Sequence, residues 1–459
     1  MITRLLCTII SVLIIFSCMN KEKNNLSPGN GKVKLIVLDS GHFHAALLQK
    51  TNYPQIDTTV YVYAPAGSDV DNYLGLVNSY NSRNENPTRW EEVVYTANDY
   101  LEKMIEEKKG NLVIISGNNE RKTEYIYSAV NAGFNVLADK PMAIDSSNFE
   151  LLKKAYKTAE EKGVLIYDIM TERSEITAEL QKEISGIPEI FGELKKGSAK
   201  EPAIIEESTH HFYKYVSGNV LKRPTWFFDE NQQGDGITDI TTHLVDLVEW
   251  KCFSEKRLNY ENDVDVVFGK HWSTEITKQE FETITGLGEF PPYLEKNVKG
   301  NKLNVFSNGE IHFLIRGIYA KVVSVWNYKA PEGAADYSYS LMRGTKCDLE
   351  ILQGKDDNYK PVLYIKPVPG SDLTLFEKKL KLKFELIENK YNGISLKKTQ
   401  DRWKMGIPDS LREGHEAHFA RVVERFLQYL SDKKLPEWEK QAILTKYSIT
   451  TEALKLSLE

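Results

Sequence analysis

Three short segments of this 459-residue chain carry residue types at spacings that could do chemistry. The first runs Asp239-Ile240-Thr241-Thr242-His243-Leu244-Val245-Asp246, after a Gly-Asp-Gly turn at 234–236. Ile240, Leu244, Leu247 and Val248 form an apolar helical stripe, which leaves Asp239, His243 and Asp246 on an adjacent face. An imidazole bracketed by two carboxylates has its charged form favoured and its tautomer fixed, which suits a general base near neutral pH. The same spacing also serves plain hydrogen bonding on a helix surface. The second segment is Ala138-Asp139-Lys140-Pro141, directly after an apolar run. A lysine at the carboxyl end of a sheet strand, held by a proline, points into the crevice; its bland counterpart is a turn lysine in water. The third is Asp39-Ser40-Gly41-His42-Phe43-His44, where a dinucleotide fold places G-x-G-x-x-G. That motif needs a tight turn, close backbone approach to a pyrophosphate and tight helix–strand contact. Only the central glycine, Gly41, stands here, with Asp39 and His44 in the outer positions. The second strand exits into Tyr63-Ala64-Pro65, and Asp69 and Asp71 come later than a ribose-binding acid is expected. His42 and His44 read as capping and loop hydrogen-bonding residues. A metal pair would need further ligands that the sequence does not locate, and no metal is expected.

The elements that must position these residues fall into two halves. Residues 33–168 alternate short apolar runs (KLIVLD, TTVYVYA, NLVIISG, NVLADKP, GVLIYDI) with amphipathic stretches at 120–132 and 147–163, each ended by a glycine. Apolar strands alternating with helices predict a doubly wound α/β domain on a parallel sheet, with ligands at the strands' carboxyl ends. From about residue 190 short β-rich segments dominate, among them EIFGELKKG, AKVVSVWNY and LKLKFELIE, which predicts an α+β domain on a largely antiparallel open sheet. Helical patterns at 237–250 and 412–430 complete it. The expected boundaries are 32–168 for the dinucleotide-binding domain and 169–459 for the substrate and oligomerisation domain.

Composition is ordinary, with 41% apolar and 27% charged residues, and excludes collagen-like, low-complexity and disulfide-stapled classes. The net charge of -6 without a basic block excludes a nucleic-acid partner. Arg4 followed by the apolar stretch 5–16 is too short to span a bilayer and reads as a signal peptide over 1–17. Its end, Ile15-Phe16-Ser17-Cys18, resembles the lipobox of bacterial lipoproteins, which implies a lipid on Cys18. Residues 18–31 then form a flexible tether, and the body faces the periplasm or the cell surface. Cys252 and Cys347 remain as free thiols.

The order of a nucleotide-type domain, a strand-end D-K-P, and a sheet domain opened by a Gly-rich turn and D-x-x-x-H resembles the Gfo/Idh/MocA oxidoreductases, over about residues 33–430. The segments YDIMTERSEI, HHFYK, GHEAHF and LPEWE look like an exported Bacteroidetes subgroup with its own carboxyl-terminal domain. The resemblance implies that Lys140, Asp239 and His243 line a sugar or cyclitol site against a nicotinamide. It also implies that Asp39, Gly41, His42, His44, Asp139 and Lys140 meet a bound NAD or NADP, with NAD favoured. Trp226, Phe227 and Tyr213 would offer platforms to sugar faces; Arg173, His210 and His211 would offer polar contacts. Asp139 in place of the family's glutamate, the missing outer glycines and the export signal are departures. Export makes a tightly held, internally recycled cofactor the expectation, because free NAD is scarce outside the cytoplasm. The implied activity is oxidation of a ring hydroxyl of a sugar or glycoside, in one variant as part of redox-assisted glycoside cleavage. The rival reading is a non-catalytic carbohydrate-binding or scaffolding lipoprotein on a degenerate fold. A homo-oligomer through an exposed sheet face follows from the resemblance alone.

Overall fold

The computed structural model describes residues 32–216, 219–331 and 336–459. The signal stretch, Cys18 and the tether lie outside the described residues. The apolar runs of the first half become β1 (Val33–Leu38), β2 (Ile56–Tyr63), β3 (Glu91–Tyr95), β4 (Leu112–Ile115), β5 (Asn135–Asp139) and β6 (Ile166–Ile169). They form one sheet in the order β3-β2-β1-β4-β5-β6, with all neighbours parallel. The order reverses between β1 and β4, so the crevice opens at the exits of those strands. The covering helices are α1 (His44–Leu47), α2 (Ser68–Ser82), α3 (Tyr100–Glu107), α4 (Lys122–Asn131) and α5 (Ser146–Lys162). In α5, Asp145 caps the start by accepting from the Asn148 amide, and Gly163 ends it at φ 68°, a left-handed turn. β3 has no apolar signature in the sequence because it is the sheet edge, with Val93 and Val94 47% and 41% exposed.

Beyond α6 (Ile176–Ser185), β7 (Ile204–Tyr213) enters a ten-stranded, mostly antiparallel sheet. Its one parallel pairing joins β7 to residues 318–329. Against this sheet α7 (Thr241–Phe253) buries Leu244, Val245 and Val248 on Ile204, Phe313 and Val322. The remaining helices are α8 (Lys278–Thr285), α9 (Leu373–Lys390), α10 (His415–Asp432) and α11 (Glu437–Leu458).

Two expected strands are absent. LKLKFELIE lies within α9: its apolar–charged alternation mimics period two, but Phe376, Leu380, Phe384 and Ile387 recur at helical spacing and fill a core. Leu382 and Leu386, which suggested the strand, are 62% and 60% exposed. EIFGELKKG is a turn region in which Gly192 adopts φ 79°. Helix α11 carried no strong period because so many of its residues are buried, polar ones included.

The boundary near residue 169 separates the sheets but not their core. Phe419, Val422, Val423 and Phe426 of α10 and Ile443, Leu444 and Tyr447 of α11 join the cluster built on the first sheet. A set of sealed charges crosses the same seam. Arg173 grips Asp246 through Nε and Nη2 at 2.6 and 2.7 Å and Glu439 at 2.8 Å. Lys446 bridges Asp168 at 2.6 Å and Asp246 at 2.9 Å. Removing one member strands its partners, since a buried charge without a counter-charge costs several kcal/mol. Lys446→Met is expected to lower stability by about 3–5 kcal/mol in urea unfolding, against under about 0.5 kcal/mol for the exposed Lys455→Met.

Candidate active site

The loop after β1 forms one wall of a cleft of about 630 Å³, whose other walls are residues 64–70 and the segment Arg223–Phe227. Asp39 occupies the first glycine's place at φ 53°, a left-handed conformation that aspartate tolerates better than most residues. Burial first, and then repulsion from Asp69, raise its carboxyl to about 6. Gly41 has no room for a side chain: an added Cβ would sit 2.8 Å from Asp69 Oδ2 and 3.3 Å from the Trp226 ring. At Gly117, after β4, a Cβ would lie 2.3 Å from the Asp39 carbonyl oxygen. The hydroxyls of Ser40 and Ser116 are buried without a partner. A bare backbone at Gly41, the unspent Ser40 hydroxyl and an acid past the exit of β2 fit a dinucleotide. Asp69, which looked too late in sequence to serve a ribose, lines this cleft and accepts from Trp226 Nε1 at 2.9 Å.

His44 and Asp139 do not line that cleft. His44 is buried, with Nδ1 3.0 Å from Asp139 Oδ1 and Nε2 3.2 Å from Nε2 of His415, whose ring stacks on it at 4.9 Å. The third glycine's place is thus filled by an imidazole that braces the end of β5 rather than a ligand. His42 lines the cleft and also sets Nδ1 2.8 Å from Asp139 Oδ2. His42, His44 and Asp139 bring three donor atoms within 4.8 Å of one another, a metal-like grouping in which the sequence lacked only the third member. Burial works to raise the Asp139 carboxyl, but the two imidazoles hold it well below the usual range. Lys122, not singled out in the sequence, is 1% exposed at the start of α4; burial depresses it to about 8 against the pull of Asp139.

Lys140 and Asp239 meet across the two domains, Nζ to Oδ1, at 2.6 Å. His243 stands one turn further along α7, with Nδ1 buried and without a partner. The expected charged imidazole is not what forms. Burial, followed by the Lys140 ammonium, holds His243 well below 6.5 and therefore neutral. Asp246 pulls the other way but is shared with Arg173 and Lys446, and Asp239 is paired with Lys140, so the flanking acids do not outweigh burial. A neutral imidazole beside an ammonium is still a proton acceptor waiting for an acidic hydroxyl.

Of the residues expected to touch a sugar, Arg173 is wholly committed to Asp246 and Glu439 and is 3% exposed, so it holds the fold rather than a substrate. Trp226 and Phe227 line the nucleotide cleft. His210 shares a separate cavity of about 130 Å³ with His243. His211 pairs with Asp336 at 3.1 Å, and Tyr213 packs on Tyr328; neither lines either cavity.

Residues 44–169 match the model of the oxidoreductase family with an NAD-binding Rossmann fold, GFO_IDH_MocA. Residues 180–458 match the model described as "Putative oxidoreductase C terminal domain". A crystal structure of a "putative oxidoreductase" from Parabacteroides merdae is 50% identical, with a TM-score of 0.92 over 93% of this chain and 98% of that one. KijD10, a 3-ketoreductase from Actinomadura kijaniata in complex with TDP-benzene and NADP, is 14% identical, with a TM-score of 0.54 over 92% and 96%. GenD2 from gentamicin A biosynthesis, in complex with NAD, is 12% identical, with a TM-score of 0.55 over 94% and 96%. No curated protein sequence matches. The chain belongs to the Gfo/Idh/MocA oxidoreductase family. It is an NAD(P)-dependent enzyme on a Rossmann-type domain joined to an antiparallel sheet domain.

Two outcomes follow from this geometry. Gly41→Val is expected to weaken NAD binding by calorimetry at least about tenfold, because its branched side chain meets Asp69 and Trp226. His44 falls from an ordinary 6.5 to about 4 in the fold, chiefly through burial. The unfolded chain therefore takes up this proton first, and stability present above pH 6.5 is lost as pH drops toward 4. At about 1.4 kcal/mol per unit the loss is about 3 kcal/mol. Urea titrations between those pH values should show a flatter slope for His44→Gln.

Proposed function

We propose that the protein oxidises a ring hydroxyl of a sugar or glycoside, outside the cytoplasm, with a nicotinamide held through successive turnovers. The observation that carries the reading is the Lys140–Asp239 pair that joins the two domains, with neutral His243 one turn beyond Asp239 and within reach of the Lys140 charge. A nicotinamide held by the Gly41 loop supplies a hydride acceptor; the chain's own residues manage the proton. His243 accepts the proton of the reacting hydroxyl, Lys140 donates a hydrogen bond to the oxygen, and Asp239 fixes Lys140. Once His243 is protonated, its charge sits against that of Lys140, which favours passing the proton on. Redox-assisted glycoside cleavage is the extended form of the same proposal, since oxidising one carbon acidifies the hydrogen on its neighbour. KijD10, a 3-ketoreductase of the same fold, supports hydride chemistry between a hydroxyl and a ketone.

Cys18 as a lipid-bearing residue, with the body on a periplasmic or surface face, belongs to the proposal through the lipobox-like segment. No described helix is long and apolar enough to cross a membrane. A homo-oligomer would use the open sheet face, where Val267 and Phe268 are 44% and 41% exposed.

The test starts from residues 19–459, purified, denatured and analysed for released NAD or NADP by mass spectrometry. Retained nucleotide is expected; none, with no binding of added NAD, overturns the reading. His243→Ala and Lys140→Ala should each lower sugar-dependent reduction by about 10²-fold or more while leaving nucleotide content intact.

A further inference from the structure

Helix α9 is apolar on two opposite faces. Its inner face sets Phe376, Leu380, Phe384 and Ile387 into a core. At about 100° per residue, Leu375, Leu382 and Leu386 fall within about 40° of one another on the far side. They are 49%, 62% and 60% exposed, and Leu373 at the helix start is 44% exposed. A surface helix ordinarily shows its polar face to water, so a second apolar stripe marks a contact outside the chain's own core. Lys378 flanks this stripe on one side and Lys379 and Lys390 on the other, with Glu385 in the same rim. Lys381, Lys383 and Lys390 pair with Glu377, Glu189 and Glu183, whereas Lys378 and Lys379 have no ion-pair partner among the described residues. The strand Ser395–Lys398, at the edge of the large sheet, meets α9 through Lys398 and Glu377 and adds the exposed Lys397. The chain as a whole carries -6, so this basic rim is local.

Such a stripe has a choice of occupants: chain outside the described residues, a second copy, or a lipid surface. Residues 19–31 offer only Met19 and Leu26 as large apolar side chains. A second copy docked about a two-fold axis at the middle of the stripe would bring Lys378, Lys379 and Lys383 of one chain toward those of the other, a like-charge contact. A bilayer suits both features. Leucines enter the acyl boundary, while lysine stems lie along the apolar face and carry their ammonium groups out to anionic headgroups. The stretch from Cys18 to Lys32 reaches at most about 50 Å, so a lipid on Cys18 holds the body close to the surface that α9 would meet.

Resting on the lipoprotein reading above, we infer that α9 is a membrane-docking helix, its Leu375, Leu382 and Leu386 stripe seated in the interface of a bilayer with anionic headgroups and its lysines on those headgroups. Anchor and helix then act as two linked attachments, and the docked body holds one orientation to the membrane.

The test is lipid binding, which stands apart from the redox reading. Residues 19–459, without the lipid, are mixed with vesicles of phosphatidylethanolamine and phosphatidylglycerol, or of phosphatidylcholine alone, and separated by flotation at low salt. The protein should float with the anionic vesicles at least about fivefold more than with phosphatidylcholine, and the excess should shrink as salt rises. Leu382→Ser/Leu386→Ser alters two exposed side chains, so thermal unfolding should be unchanged while flotation on the anionic vesicles falls at least about fivefold. Lys378→Gln/Lys379→Gln should erase the preference for anionic vesicles. Equal flotation of the unaltered chain and the leucine variant, no flotation of the unaltered chain on anionic vesicles, or a dimer in sedimentation velocity that the leucine variant dissolves overturns the inference. Attachment of labelled palmitate to the full-length chain is read separately: its absence counts against the anchor on Cys18 and leaves flotation to decide the helix.

Discussion

The rest of the structure hangs on five charges sealed from water along the seam between the two sheets. Asp168 at the end of β6, Arg173 just beyond it, Asp246 on α7, and Glu439 and Lys446 on α11 come from three separate stretches of chain. None of them is more than 5% exposed. Such a network contributes little net stability compared with apolar packing, but it tolerates only one arrangement. Burial alone would raise Asp246; Arg173 and Lys446 bring it far below the ordinary carboxylate range. That fixes the rotation of α7, and with it the place of His243 one turn earlier.

The second consequence is electrostatic. By holding Asp246 on Arg173 and Lys446, the network leaves it opposing, but not overcoming, the burial that keeps His243 neutral. Asp239 is held in turn by Lys140. The histidine that looks, in the sequence, like a charged member of an acid–imidazole–acid row becomes a buried neutral base. The same logic operates at Asp139, where two imidazoles rather than a glycine-rich loop brace the strand end that presents Lys140. Function at this crevice depends less on which groups are present than on which partner each is denied.

Much was legible in the chain. The parallel α/β half, the switch to an antiparallel sheet, the D-K-P strand end and the D-x-x-x-H helix follow from apolar periodicity and from residue types that few other roles require. What failed to show has specific causes. LKLKFELIE alternates like a strand but packs by its four-residue recurrence. β3 is an edge and carries no apolar run. His415 lies 371 residues from the His44 it stacks on.

The sequence by itself determined the fold class and the nucleotide-type half, and singled out Lys140, Asp239 and His243 as candidates, because those depend on local patterns: periodicity, turn residues, and a lysine and a histidine at fixed offsets from element ends. Only the tertiary structure decided the roles of Arg173, His44 and Asp69, and the charge state of His243. Those depend on burial and on partners hundreds of residues away, and the energy of a charge is set by its surroundings rather than by its neighbours in the chain.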